Sequence, residues 1–225
     1  MGVEFRQDPK GLLKIWRRPE RNRKYVIPAD VAEGVKGGNF SAAHVLDLES
    51  FEQVAVWHGL EEPYQFGRIL FNMGEFYNCA LLAPERNNNG ISVIDYLRTN
   101  SYPRLYRMQK FDYQVMDETE RLGWMTNAHT RPLIIDALKE SVRSNSIVLN
   151  DADTLAELRT FIRNQKTGKI EAAGNGQGTQ IRGNHKAHAP GPKKLILLLP
   201  YVIVARICAG FLVTWDNGGL WRRSS

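Results

Sequence analysis

Residues 24–47, KYVIPADVAEGVKGGNFSAAHVLD, constrain this chain more than any other stretch. An apolar run over 25–29 ends in an acid, Asp30, and a turn bearing Gly34, Gly37 and Gly38 follows. A second, alternating and β-branched run then extends through Val45. Val, Ile and aromatic residues bounded by glycine predict two strands joined by a short loop. An acid at the end of the first strand, facing a loop whose glycines let backbone come close, suits a metal ion. A plain surface carboxylate at a strand end is the alternative, and these residues alone do not separate the two.

The flanking sequence extends the sheet. Residues 52–58, EQVAVWH, alternate with period two and predict a third strand, so three successive strands make an antiparallel meander. Upstream, 12–16 reads as an edge strand leading into a basic loop with Arg17, Arg18, Arg21, Arg23 and Lys24, either solvated or meeting phosphates. Downstream, Pro63 stands where helices start, and Phe66, Ile69, Leu70, Met73 and Phe76 follow at helical spacing as core. The continuous apolar run CALLA, 79–83, predicts a buried strand that ends at Pro84 and Glu85. An Asn- and Gly-rich turn over 86–90 and a helix over 91–98 come next. A second acid thus stands at the end of a second buried strand. Strand ends on one edge of an open sheet gather ligands, and two carboxylates there supply the oxygen donors a divalent cation takes.

The second half of the chain is less regular. A short β pair is expected over 103–108 and 111–115, a polar loop over 123–129, a helix over 132–143 and a brief strand over 147–149. Residues 150–153 offer N-caps for a helix over 154–164, so Asp151 and Asp153 read as capping acids rather than ligands. His44, His58 and His129 read as packing or surface residues. One more short strand is expected over 168–172. From Gly174 onward, periodicity and acids vanish together. Residues 195–213 are apolar with one charge, Arg206, and have the length of a membrane span. Pro200 and Arg206 oppose that reading, since an arginine costs about 2.5–3.5 kcal/mol near mid-bilayer. The expected division is a folded domain over 1–173 and an atypical basic and apolar tail over 174–225, with no membrane attachment.

Charge narrows the function classes. The chain carries 30 Lys and Arg against 24 Asp and Glu, a net +6. Residues 172–225 hold seven of those bases and only Asp216 of the acids, so residues 1–171 are neutral. The basic excess is therefore a property of the tail. The two cysteines, Cys79 and Cys208, form neither a metal-ligand cluster nor a disulfide framework, and the opening residues lack a secretory apolar segment. A cytoplasmic setting is expected.

Residues 4–171 resemble the C-terminal nuclease domain of the large terminase subunit of tailed bacteriophages and their prophages. The carrying segments are YVIPADVAEGVKGGNFSAAHVLD, VAVWHG, FYNCALLAPERNNNGISVIDYLR and DTLAELRTFIRNQKTGKIEAA, in family order. The resemblance implies an α/β, ribonuclease-H-like fold, a mixed central sheet flanked by helices. It implies Mg²⁺- or Mn²⁺-dependent endonucleolytic cutting of concatemeric viral DNA during packaging, in the bacterial host cytoplasm. Double-stranded DNA, the portal protein and the small terminase subunit are the implied partners. By the same resemblance, Asp30 and Glu85 are the first two catalytic, metal-binding acids. Two metal ions about 3.5–4 Å apart clamp an in-line phosphodiester displacement, which is why such a site wants several carboxylates.

Three departures stand out. No paired aspartates follow KIEAA, where the family places its third acid; the next acid after Glu171 is Asp216, in TWDNGG, which matches no family motif. The glycine-loop position where the family often carries Asp is Asn39. No G-x-x-x-x-G-K-[ST] occurs, so the ATPase motor of a terminase is not expected in this sequence. Impaired cleavage, or a non-catalytic remnant or docking module, follows from the missing third acid.

Overall fold

The computed structural model describes residues 3, 5–112, 117–124, 136, 138, 140–156, 158, 213–215 and 221–223. Its centre is β2 (Tyr25–Asp30), every residue of which is buried. Such a strand must be apolar on both faces, and YVIPA is. β2 pairs antiparallel with β3 (Ser41–Asp47), and β3 pairs antiparallel with β4 (Gln53–Gly59), which is the expected meander. The edge strand β1 (Leu13–Ile15) lies antiparallel on β4. On the other flank β5 (Leu81–Pro84) runs parallel to β2, completing a five-stranded mixed sheet in the order β1-β4-β3-β2-β5.

Two helices cover one face. α1 (Pro63–Phe76) starts on Pro63, whose missing N–H costs nothing in a first turn. Its buried stripe Phe66, Leu70 and Met73 meets Val93 and Leu97 of α2 (Asn88–Thr99) over Tyr25, Ile27, Ala29, Val45 and Leu82 of the sheet. Each fully buried side chain of this size contributes about 1.5–3 kcal/mol. The opposite face packs Val26 and Leu46 against Trp124, Leu138 and Leu158. The segment bearing Leu158 is tied down by Asp151, which caps the helical residues 152–156 through Thr154 N–H (2.9 Å) and pairs with Lys14 Nζ (2.9 Å). Burial raises the Asp151 carboxyl, but hydrogen bonds from Lys14 and Thr154 hold it below the usual carboxylate range.

Several expectations shift in detail. β5 starts at Leu81 rather than Cys79 and includes Pro84. α2 starts at Asn88, so the residues read as an Asn/Gly turn are its cap and first turn. The expected β pair is a hairpin of β6 (Arg107–Asp112) and β7 (Asp117–Leu122), displaced towards the C-terminus. The expected strand at 147–149 is one parallel bridge, Glu52 to Val148. The basic loop is neither solvated nor phosphate-facing throughout. Arg17 and Arg23 converge on the fully buried carboxylate of Asp47, at 2.6 and 2.8 Å. Two strands, β8 (Val213–Trp215) and β9 (Trp221–Arg223), pair antiparallel with each other. His129, the expected strand at 168–172 and nearly all of the apolar stretch 195–213 lie outside the described residues. Among the described residues no helix is long and apolar enough to cross a membrane.

Candidate metal centre

Asp30 closes β2 and Glu85 directly follows β5. The parallel register pairs Val26 with Leu81 and Ala29 with Pro84, so Asp30 and Glu85 are the next pair in line. The ladder continues to that point, because Glu85 N–H donates to Ala29 C=O at 2.7 Å. Neighbouring strands lie about 4.8 Å apart, and side chains alternate between faces. That alternation sets Asp30 on the face of Val26 and Glu85 on the face of Leu81, which is the same face of the sheet. Both acids are mostly shielded, at 8% and 9% exposure.

Asn87 braces this corner. Its Oδ1 accepts from Gly90 N–H at 2.7 Å and so caps α2. Its Nδ2 donates to Val31 C=O at 2.9 Å, one residue beyond Asp30, and reaches Glu85 Oε2 at 3.4 Å. One side chain therefore joins the exit of β2, the carboxylate after β5 and the start of α2. Gly90 makes the junction possible: a Cβ there would stand 1.8 Å from Glu85 O. On the outer side, Trp124 N–H donates to Pro84 C=O at 2.9 Å and Arg86 N–H donates to Trp124 C=O, so Glu85 is held between two backbone neighbours. The signal for Asn87 was present as an N-cap residue ahead of an apolar periodic run, but a cluster of Asn and Gly reads equally as a turn. Trp124 carried no local signal, since its place depends on the hairpin that precedes it.

Of the two histidines among the described residues, His44 is buried and His58 is exposed. Gln53 Oε1 accepts from Asn150 and Asp151 N–H at 2.8 and 2.9 Å, so its amide nitrogen is the atom facing His44 Nδ1 at 2.9 Å. Nδ1 therefore accepts, and the ring is neutral; burial drives its pKa down to about 3. The His58 ring lies 5.1 Å from that of Phe40. Among the described residues, no group of three or more His, Cys, Asp or Glu side chains is placed to hold a metal ion. Asp30 and Glu85 fit a hard divalent cation in donor type, and a pair of carboxylates leaves most of its coordination to water or phosphate.

No family model matches the sequence. The structure, however, is similar to the large terminase nuclease from thermophilic phage G20c with bound magnesium, at TM-score 0.56 and 16% identity, covering 92% of this chain and 91% of that one. It is similar to the same nuclease with bound cobalt, at the same TM-score, identity and coverage. The nuclease domain of the Thermus phage P74-26 large terminase matches at TM-score 0.55 and 15% identity, over 92% of this chain and 90% of that one. The fold is that of a phage large-terminase nuclease. At these identities the likeness is one of backbone. The mixed, ribonuclease-H-like sheet expected from the sequence is the one observed.

Proposed function

We propose that residues 1–173 are a terminase-type nuclease domain in which Asp30 and Glu85 hold Mg²⁺ or Mn²⁺ for endonucleolytic cutting of double-stranded viral DNA during packaging. The observation that carries this reading is the register: the two acids come from adjoining ends of parallel strands, on one face, in a fold shared with nucleases crystallised with magnesium and cobalt. When bound, a divalent cation polarises the scissile phosphate and lowers the pKa of a water that attacks it. The chain's own part is to fix two oxygen donors at adjoining strand ends, in the shielded corner that Asn87 braces. The portal protein and the small terminase subunit are the partners this role implies.

Cleavage is expected to be weak, because two carboxylates hold a second cation poorly and no acid lies between Glu171 and Asp216. That same lack favours a second reading, a nuclease fold kept for docking without chemistry. Supercoiled plasmid with Mn²⁺ separates them. Nicking by the wild type that is lost in Asp30→Asn and in Glu85→Gln supports the enzyme. Absence of nicking in the wild type, or nicking that survives both substitutions, removes it.

A further inference from the structure

The peptide unit joining Val31 to Ala32 lies just past Asp30, where the chain leaves β2, and side chains from two other elements hold it. Its carbonyl accepts from Asn87 Nδ2 at 2.9 Å, from the cap of α2. Its N–H, that of Ala32, donates to Ser41 Oγ at 2.9 Å, from the first residue of β3. The last pair of the β2–β3 ladder is Asp30 with Ala42, so the Ser41 hydroxyl extends the grip of β3 past the acid. These groups are out of water: Val31, Ala32 and Ser41 are 2%, 7% and 0% exposed. Shortly beyond, Gly34, at φ 74°, lies so close to the chain before α1 that an added Cβ would collide with Glu61 C=O. The exit of β2 is thus restrained at Val31, Ala32 and Gly34.

We infer that Ser41 is a positioning residue for Asp30, setting its carboxylate beside Glu85 through the peptide that follows the acid; the inference rests on the reading that these two acids hold a divalent cation. Ahead of Asp30 the backbone is fixed by the β5 ladder, through Glu85 N–H on Ala29 C=O. Behind it, the dihedrals of Asp30 and Val31 are soft, and only the anchored 31–32 peptide limits them. Without the Ser41 oxygen, the Ala32 N–H is a buried donor that has lost its acceptor, and the peptide gains by turning towards another one. Turning it also swings Val31 C=O away from Asn87, because one rigid plane carries both groups. A functional constellation tolerates displacements of only about 0.5 Å, so an acid one residue away feels that rotation. Serine brings the oxygen on the shortest possible stem to a site with no exposed surface; its neighbours in the strand, Ala42 and Ala43, fill theirs with a methyl group. In this role Ser41 acts through the backbone and supplies no metal ligand.

The test is calorimetric titration of the full chain with Mn²⁺, well below each variant's melting midpoint, so that lost stability alone does not change the fraction folded. Melting curves establish those midpoints and check that each variant folds. Ser41→Ala should weaken Mn²⁺ binding about 10-fold or more, the range seen when a group that orients a metal ligand is lost. Tyr102→Phe is the stability control. It removes a buried hydrogen bond from Tyr102 O–H to Ala80 C=O, 2.6 Å, at the end of β5 remote from Glu85. That variant should melt earlier and bind Mn²⁺ as the wild type does. Wild-type affinity in Ser41→Ala, or an equal loss in Tyr102→Phe, would overturn the inference. The two readings fail distinguishably. A loss in Asp30→Asn with none in Ser41→Ala sinks the role of Ser41 alone. Equal affinity, or no binding, in wild type and Asp30→Asn sinks the metal site, and the role of Ser41 with it.

Discussion

Replacing Asn87 tests how the corner holding Glu85 is built. Asn87→Ser keeps an oxygen able to cap α2 but deletes the donor to Val31 C=O and Glu85 Oε2. Asn87→Ala deletes both functions. Loss of the cap costs about 1 kcal/mol. Val31 is 2% exposed, so its carbonyl, deprived of the 2.9 Å hydrogen bond, is left poorly solvated, at a cost of about 1–2 kcal/mol. Serine should therefore destabilise by about 1–2 kcal/mol and alanine by about 2–3 kcal/mol, with each kcal/mol lowering Tm by about 2–4 °C in a domain of this size. Urea melts measure both. Calorimetric titration with Mn²⁺ adds the functional readout: losing a partner that orients a ligand weakens metal affinity about 10-fold at the lower end of the usual range, as the 3.4 Å contact warrants. If serine melts like the wild type, the tie between β2 and α2 contributes nothing. If Mn²⁺ affinity is unchanged in both variants, Asn87 does not position Glu85.

Two further outcomes follow from buried polar groups. Asp47 accepts from Arg17, Arg23 and the N–H groups of Glu49 and Ser50, so Asp47→Ala should cost about 3 kcal/mol in a urea melt, against a much smaller loss for Arg23→Ala, whose side chain keeps 27% exposure. His44, buried, has a pKa lowered from 6.5 to about 3, so between those values the unfolded chain binds a proton that the native state refuses. Stability contributed by neutral His44 is complete above about pH 6.5 and is lost as pH falls towards 3; His44→Asn, which retains an acceptor for Gln53, should flatten that limb of the stability–pH curve.

The meander, α1 and the two acid-ended strands were legible because each announces itself locally, by period two, by a proline start or by an unbroken apolar run. The residues placed both acids at strand ends on one edge of a sheet, but not the parallel pairing of β5 with β2, since register across a long insertion leaves no local trace. Arg17, Arg23 and Asp47 show the limit on the polar side. The arginines read as part of a basic run, solvated or meeting phosphates, and only the fold brings them from one loop onto an acid at the end of β3. The first turn of α2 was misread because asparagine serves turns and caps alike. The β6–β7 register escaped because alternation over Arg107–Asp112 and Asp117–Leu122 is weak.

The parallel contact between β2 and β5 joins residues far apart along the chain, as the Asn87–Val31 hydrogen bond, 56 positions in separation, makes plain. A nascent polypeptide that has completed only the early hairpins displays Asp30 with no companion. The second carboxylate arrives after α1 has folded back, and its outer backbone neighbour, Trp124, is translated later still. Closure of such distant contacts is the slow part of assembly. Half-made copies of this protein are thereby unable to present the acid pair at all.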